Sequence, residues 1–142
     1  MGGVSYSYDA IARVTGRTVT VGNTSYLTAY AYLPGVSGKT TGLIQSITQT
    51  GENFSYTYDD VGNISSVTQN GLTTTYEYDP LGQLIRVNDQ NDTTSGATGT
   101  TWVFTYDLGG NIKTKKAYAY TTGSVSGLTP AESHTFTYGN AG

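Results

Sequence analysis

Tyr56-Thr57-Tyr58-Asp59-Asp60-Val61-Gly62-Asn63-Ile64 returns 20 residues later as Tyr76-Glu77-Tyr78-Asp79-Pro80-Leu81-Gly82-Gln83-Leu84. Phe104-Thr105-Tyr106-Asp107-Leu108-Gly109-Gly110-Asn111-Ile112 repeats it with one Phe. Tyr6-Ser7-Tyr8-Asp9-Ala10-Ile11-Ala12-Arg13-Val14 repeats it again, with Ala12 where the others carry Gly. Tyr30-Ala31-Tyr32-Leu33 and Phe136-Thr137-Tyr138-Gly139 are degenerate copies. Self-similarity of this kind marks a repeat architecture, in which each unit is one supersecondary element.

Each position in the unit has a physical reading. Rings at i and i+2 share one face of a strand. Asp opens a β-turn, its carboxylate accepting backbone N–H groups two residues on. Pro80 suits the second turn position, and Gly three residues after Asp supplies the positive φ of a type I turn with a bulge. An apolar residue (Val14, Ile64, Leu84, Ile112) then starts a returning strand. Asn70-Gly71 is a strong hairpin signal and predicts an antiparallel pair, Ile64–Gln69 with Thr73–Tyr78. Polar connections are expected at Pro34–Gly42, Asp89–Thr100 and Thr121–Ser133, the last with one short helical turn over Thr129–Ser133. The reading is a single array with units near 4–23, 26–50, 52–71, 72–95, 101–120 and 134–142. The expected fold is all-β: tandem antiparallel β-hairpins in a curved, twisted continuous sheet of ten to twelve strands. One hairpin buries too little to stand by itself, so neighbours must stack.

Composition agrees with strands and turns. Thirteen Tyr against three Phe and one Trp, with 19 Gly, are spread over 142 residues. Charged residues make up 12%, and the net charge is −3, so neither charge-driven disorder nor a basic nucleic-acid footprint is indicated. No apolar run approaches the roughly 20 residues of a membrane span. The N-terminus lacks the pattern of a signal peptide. The composition nonetheless looks extracellular, and a segment of a longer secreted or surface protein is the expectation. Cys is absent, which removes disulfides and thiolate metal sites.

No catalytic, metal or cofactor site emerges. Asp9, Asp59, Asp79 and Asp107 hold the same turn position, which structure by itself explains. Asp89-Gln90-Asn91-Asp92 lacks the spaced ligands and closing Glu of a calcium loop. His134 has no nucleophile motif and no second zinc ligand. Gly96-Ala97-Thr98-Gly99 is not followed by the Gly-Lys-Ser/Thr of a phosphate loop. The acceptor tripeptides at Asn23, Asn53, Asn63 and Asn91 are read as chance in a chain rich in Ser and Thr. Trp102 is read as a packing residue. The structural motif is Tyr6, Tyr8, Asp9; Tyr56, Tyr58, Asp59, Gly62; Tyr76, Tyr78, Asp79, Gly82; and Phe104, Tyr106, Asp107, Gly110. Its rings are expected to pack on one another. Tyr26, Tyr118 and Tyr120 lie off the motif and are the candidates for glycan contact.

The unit resembles the YD (RHS) repeat of bacterial wall-associated and polymorphic-toxin shell proteins, and more distantly of teneurins. The resemblance covers most of the chain and is weak near 15–50 and 121–142. It implies a segment of a hollow β-shell or solenoid that encloses a C-terminal domain. It also implies a non-catalytic, structural role in a secreted or surface protein; the alternative is a carbohydrate- or cell-wall-binding adhesin. Five or six units are too few for a whole shell. The paired Asp-Pro-x-Gly motifs of the self-cleaving end are not found, Asp79-Pro80-Leu81-Gly82 being a single match. Expected partners are neighbouring repeats of the same or an identical chain, since exposed strand edges template pairing. No nucleic-acid partner is expected.

Overall fold

The computed structural model describes residues 2–139. Among them run eleven strands: β1 Gly3–Tyr8, β2 Val14–Val21, β3 Thr24–Pro34, β4 Thr40–Gln49, β5 Glu52–Tyr58, β6 Ile64–Gln69, β7 Leu72–Tyr78, β8 Leu84–Asp89, β9 Thr100–Tyr106, β10 Ile112–Ala119 and β11 Glu132–Thr135. Strand order is the chain order, β1 to β11. The chain forms two compact units, Met1–Thr57 with Val67–Gly71, and Tyr58–Ser66 with Leu72–Gly142.

In the first unit β1, β2, β3, β4 and β5 form successive antiparallel pairs. β5 alternates half-buried and exposed residues along Glu52–Tyr58, the period-2 pattern that puts Tyr56 and Tyr58 on one face. Thr28 is buried here, at 8% exposure. In the second unit β7 pairs antiparallel with β8, β8 with β9, β9 with β10, and β10 with β11. Its centre is unusually polar. Thr100, Thr101 and Ala117 are fully buried, and Asn88 and Tyr118 are nearly so.

The motif turns fold as the sequence predicts. Gly62, Gly82 and Gly110 have φ of 96°, 77° and 82°. Each donates its N–H to the carbonyl of its Asp, and the Asp N–H donates to the carbonyl four residues on. Tyr8↔Val14, Tyr78↔Leu84 and Tyr106↔Ile112 are the pairs next to the turns, and the register shifts just beyond each of them. At the first turn Ala12 adopts the same backbone, with φ 65°. A Cβ there costs roughly 1–2 kcal/mol, against roughly 0.5–1 kcal/mol of added chain entropy for glycine. Ala12→Gly is therefore expected to stabilise the protein by about 0.5 kcal/mol, read as a higher denaturant midpoint with unchanged slope.

The Asn70-Gly71 turn has φ of 49° and 89°, as a type I′ hairpin requires, and sits between β6 and β7. The connections differ from expectation in detail. Thr129–Ser133 contains no helical turn. Ala131 N–H donates to Ala117 O at 2.8 Å, which draws the chain into the ladder so that β11 starts at Glu132. Among the described residues a 3-10 turn lies instead at Val36–Gly38, after the second copy, which lacks Asp. There Gly35 N–H closes the loop on Lys39 O at 2.8 Å. The last proposed unit, 134–142, extends past the described residues at 140–142.

Candidate functional site

The repeated feature that joins one unit to the next is built from the motif's Asp and its second Tyr. In all four Asp turns Oδ1 accepts two backbone N–H groups, from residues i+2 and i+4. These are Ile11 and Arg13 on Asp9, Val61 and Asn63 on Asp59, Leu81 and Gln83 on Asp79, and Gly109 and Asn111 on Asp107. Oδ2 takes the side chain at i+4 in three of them: Arg13 Nε at 2.6 Å, Asn63 Nδ2 at 2.9 Å and Asn111 Nδ2 at 3.1 Å. Oδ1 of each carboxylate is thus engaged by its own turn. Burial pushes the Asp9 and Asp59 carboxyls upward, but the donors around them outweigh it and hold both below the ordinary 3.8. Asn111 chiefly does the same for Asp107. A depressed folded pKa stabilises above the unfolded value, so this contribution is lost as pH falls through the folded pKa.

The second Tyr reaches back to the preceding unit. Tyr32 Oη donates to Val14 O at 2.8 Å, Tyr78 to Ile64 O at 3.0 Å, Tyr106 to Leu84 O at 2.7 Å and Tyr138 to Ile112 O at 2.9 Å. The acceptor is always the first residue of the returning strand. Paired rings had been expected to pack on one another; the structure adds a directional latch from each hydroxyl to a backbone carbonyl. Burial, and then the negative charge of the preceding turn's Asp, raise the pKa of Tyr78 and Tyr106 above 10.0. The latch is complete below the ordinary tyrosine pKa and is lost as pH climbs through the raised folded value. Tyr106→Phe leaves the Leu84 carbonyl without its donor and is expected to cost about 1 kcal/mol. The variant should also flatten the loss of stability in alkali, measured by denaturation at pH 8 against about pH 11.

The off-motif Tyr residues fall into three settings. Tyr26 is 53% exposed and borders a shallow recess of about 150 Å³ with Arg17, Leu27 and Gln49. Tyr118 is 7% exposed, so its ring is not presented to a ligand. Tyr120 lies against Gly99, where an added Cβ would approach its ring within 3.0 Å. Trp102 donates Nε1–H to Asp92 at 2.6 Å and carries Lys115 Nζ 4.0 Å from its ring centre, so both its polar edge and a face are occupied. Asp89 and Asp92 cap Asn91 and Thr94 N–H in the connecting loop. His134 pairs with Glu132 at 3.4 Å on the surface. Among the described residues no three His, Cys, Asp or Glu gather as a metal set, and no helix is long and apolar enough to cross a membrane.

Residues that motif reading passed over hold the second unit together. Arg86 Nη2 donates to the carbonyls of Thr121 and Gly123, and its Nε to Asn88 Oδ1 at 3.0 Å. Thr101 Oγ1 donates to Asn88 Oδ1 at 2.9 Å and accepts the Thr121 N–H at 2.9 Å. Asn88 Nδ2 continues to Thr75 at 3.2 Å. No signal along the sequence separates these from surface Thr, Asn and Arg.

Fold and junction together define a tandem β-hairpin repeat protein, held by one turn and one latch used repeatedly. The RHS Repeat family model matches residues 58–94. The fold is similar to the crystal structures of TcdB2-TccC3-Cdc42 (19% identity, TM-score 0.58) and TcdB2-TccC3-TEV (19%, TM-score 0.50). The matches cover 98% and 82% of this chain, but 9% and 8% of those chains, so the chain spans under a tenth of their length. No curated protein is matched.

Proposed function

We propose that this chain is a non-catalytic wall segment of a larger secreted or surface RHS-repeat protein, stacking its units to form part of a shell around a further domain. The carrying observation is the latch itself. The same tyrosine hydroxyl meets the same backbone carbonyl at four junctions, 2.7–3.0 Å apart. Side chains spent on their own turns and on neighbouring units are what a wall needs and leave little for chemistry. Catalysis would need a clustered nucleophile or acid–base set.

An exposed outer strand makes such an array sticky. Every residue of β1 is exposed, Tyr8 at 58% among them. An open edge templates pairing with another chain, and a lysine on it blocks that pairing. The protein is expected to assemble with rising concentration, by sedimentation and electron microscopy. Val4→Lys, at an exposed edge position, should suppress assembly and leave the fold intact. A wild type that stays a monodisperse 15.0 kDa monomer at high concentration would overturn the assembly reading.

A further inference from the structure

The first junction contains a seated cation. Arg13 occupies position i+4 of the Asp9 turn. Its Nε lies 2.6 Å from Asp9 Oδ2, its guanidinium carbon lies 4.2 Å from the centre of the Tyr32 ring, and Nη1 donates to Thr41 O. Tyr32 is the latch residue onto Val14. One guanidinium is therefore held by a turn carboxylate, a latch ring and the Thr41 carbonyl at the start of β4.

The junction between the 59–63 turn and β7 shares the carboxylate and the latch ring but has no arginine. Asp59 stands for Asp9, and Tyr78, latched to Ile64, stands for Tyr32. The pair Tyr78↔Leu84 stands where Tyr32↔Ile44 stands at the first junction. Asn63 takes the place of Arg13 and ends at Asp59 Oδ2. Where Arg13 would extend, a cleft of about 500 Å³ is open, lined among others by Asp59, Asn63, Glu77, Tyr78, Asp79 and Pro80. Glu77 is 55% exposed and touches Arg86 at 3.8 Å, which leaves the lining with a surplus of negative charge. The next junction is different again: Gln83 is long enough to reach the following turn, 3.2 Å from where a Gly110 Cβ would stand.

We propose that the Asp59–Tyr78 cleft is a binding site for a guanidinium group, the side chain of an arginine on a partner polypeptide. The first junction shows the occupant in place, supplied by the chain itself; the third copy leaves the seat vacant. Carboxylate pairing and cation–π contact at a half-exposed site are each weak, so a single arginine should bind with a dissociation constant in roughly the millimolar range. The site stands on junction geometry and not on the assembly reading, and it is testable on monomer.

The probe is Nα-acetyl-L-arginine amide, titrated into ¹⁵N-labelled protein, with the neutral isostere acetyl-citrulline amide alongside. Saturable shifts are expected at the Val61, Asn63 and Gly82 amides, with citrulline weaker by about tenfold or more. Asn63→Arg supplies the guanidinium in cis and should abolish the response. Glu77→Gln, at an exposed carboxylate outside the turn, should weaken it about twofold. Arg13→Asn should create a second responsive site at Ile11 and Gly42. Equal response to arginine and citrulline, or none up to about 100 mM, would overturn the proposal, as would undiminished binding to Asn63→Arg. Stronger shifts of the same amides by Ca²⁺ would also overturn it and make the cleft a metal site.

Discussion

Thr101→Val is expected to lower the unfolding free energy by about 2 kcal/mol, although it exchanges one β-branched side chain for another of similar volume. Thr101 is fully buried, and its hydroxyl serves Asn88 Oδ1 and the Thr121 N–H and carbonyl together. Valine removes the donor and acceptor while leaving both partners in place. The part-buried Thr121 N–H then loses its acceptor and the buried Asn88 Oδ1 loses a donor, and leaving such groups unpaired costs roughly 1–3 kcal/mol. Urea denaturation measures it: the midpoint should fall with the slope unchanged. Thr101→Ser, which keeps the hydroxyl and drops a methyl, should recover more than half of the loss. Equal loss in Ser and Val would mean that packing and not hydrogen bonding carries the effect.

Arg86→Met is the second large effect, expected at about 2–3 kcal/mol. The methionine stem preserves the apolar contacts of arginine, so the loss isolates the guanidinium. That group ties β8 to the connection after β10 through the Thr121 and Gly123 carbonyls, and it also braces Asn88. Hydrogen bonds to a charged donor contribute roughly 1.5–3 kcal/mol, more than neutral ones. Backbone amides near Gly123 should exchange with solvent much faster in the variant, while the Asp79 turn stays protected. Because Arg86 and Thr101 both act on Thr121, the double variant should lose less than the sum of the singles. Strict additivity would show that the two are independent.

Both predictions fall on residues that the sequence did not single out, and the reason is physical. A buried network of Thr, Asn and Arg has no periodicity. Its members come from β7, β8, β9 and the connection after β10, up to 37 residues apart in one hydrogen bond. The motif's Asp and Gly, in contrast, act within five positions of one another. The Asp carboxylate reaches i+2 and i+4, and the Gly φ is set by the turn it closes. That locality made the turns, the alternating strands and the Asn70-Gly71 hairpin legible. The role of the second Tyr was half legible: period 2 put it on a face, but its hydroxyl acts across a junction. Tyr118 shows the same limit from the other side. Off the motif, it looked available to a ligand, and it is among the most buried side chains of the second unit.

The sequence by itself determined that this protein is a tandem array of β-hairpins with Asp-x-x-Gly turns, because those signals are short-range and repeated. Tertiary structure decided which carbonyl each Tyr hydroxyl meets and which Thr, Asn and Arg are enclosed. It also decided that Arg13 fills its junction while Asn63 leaves the equivalent one open. Each of these depends on side-chain length and register between strands distant in sequence, and only the assembled sheet brings such groups within hydrogen-bonding distance.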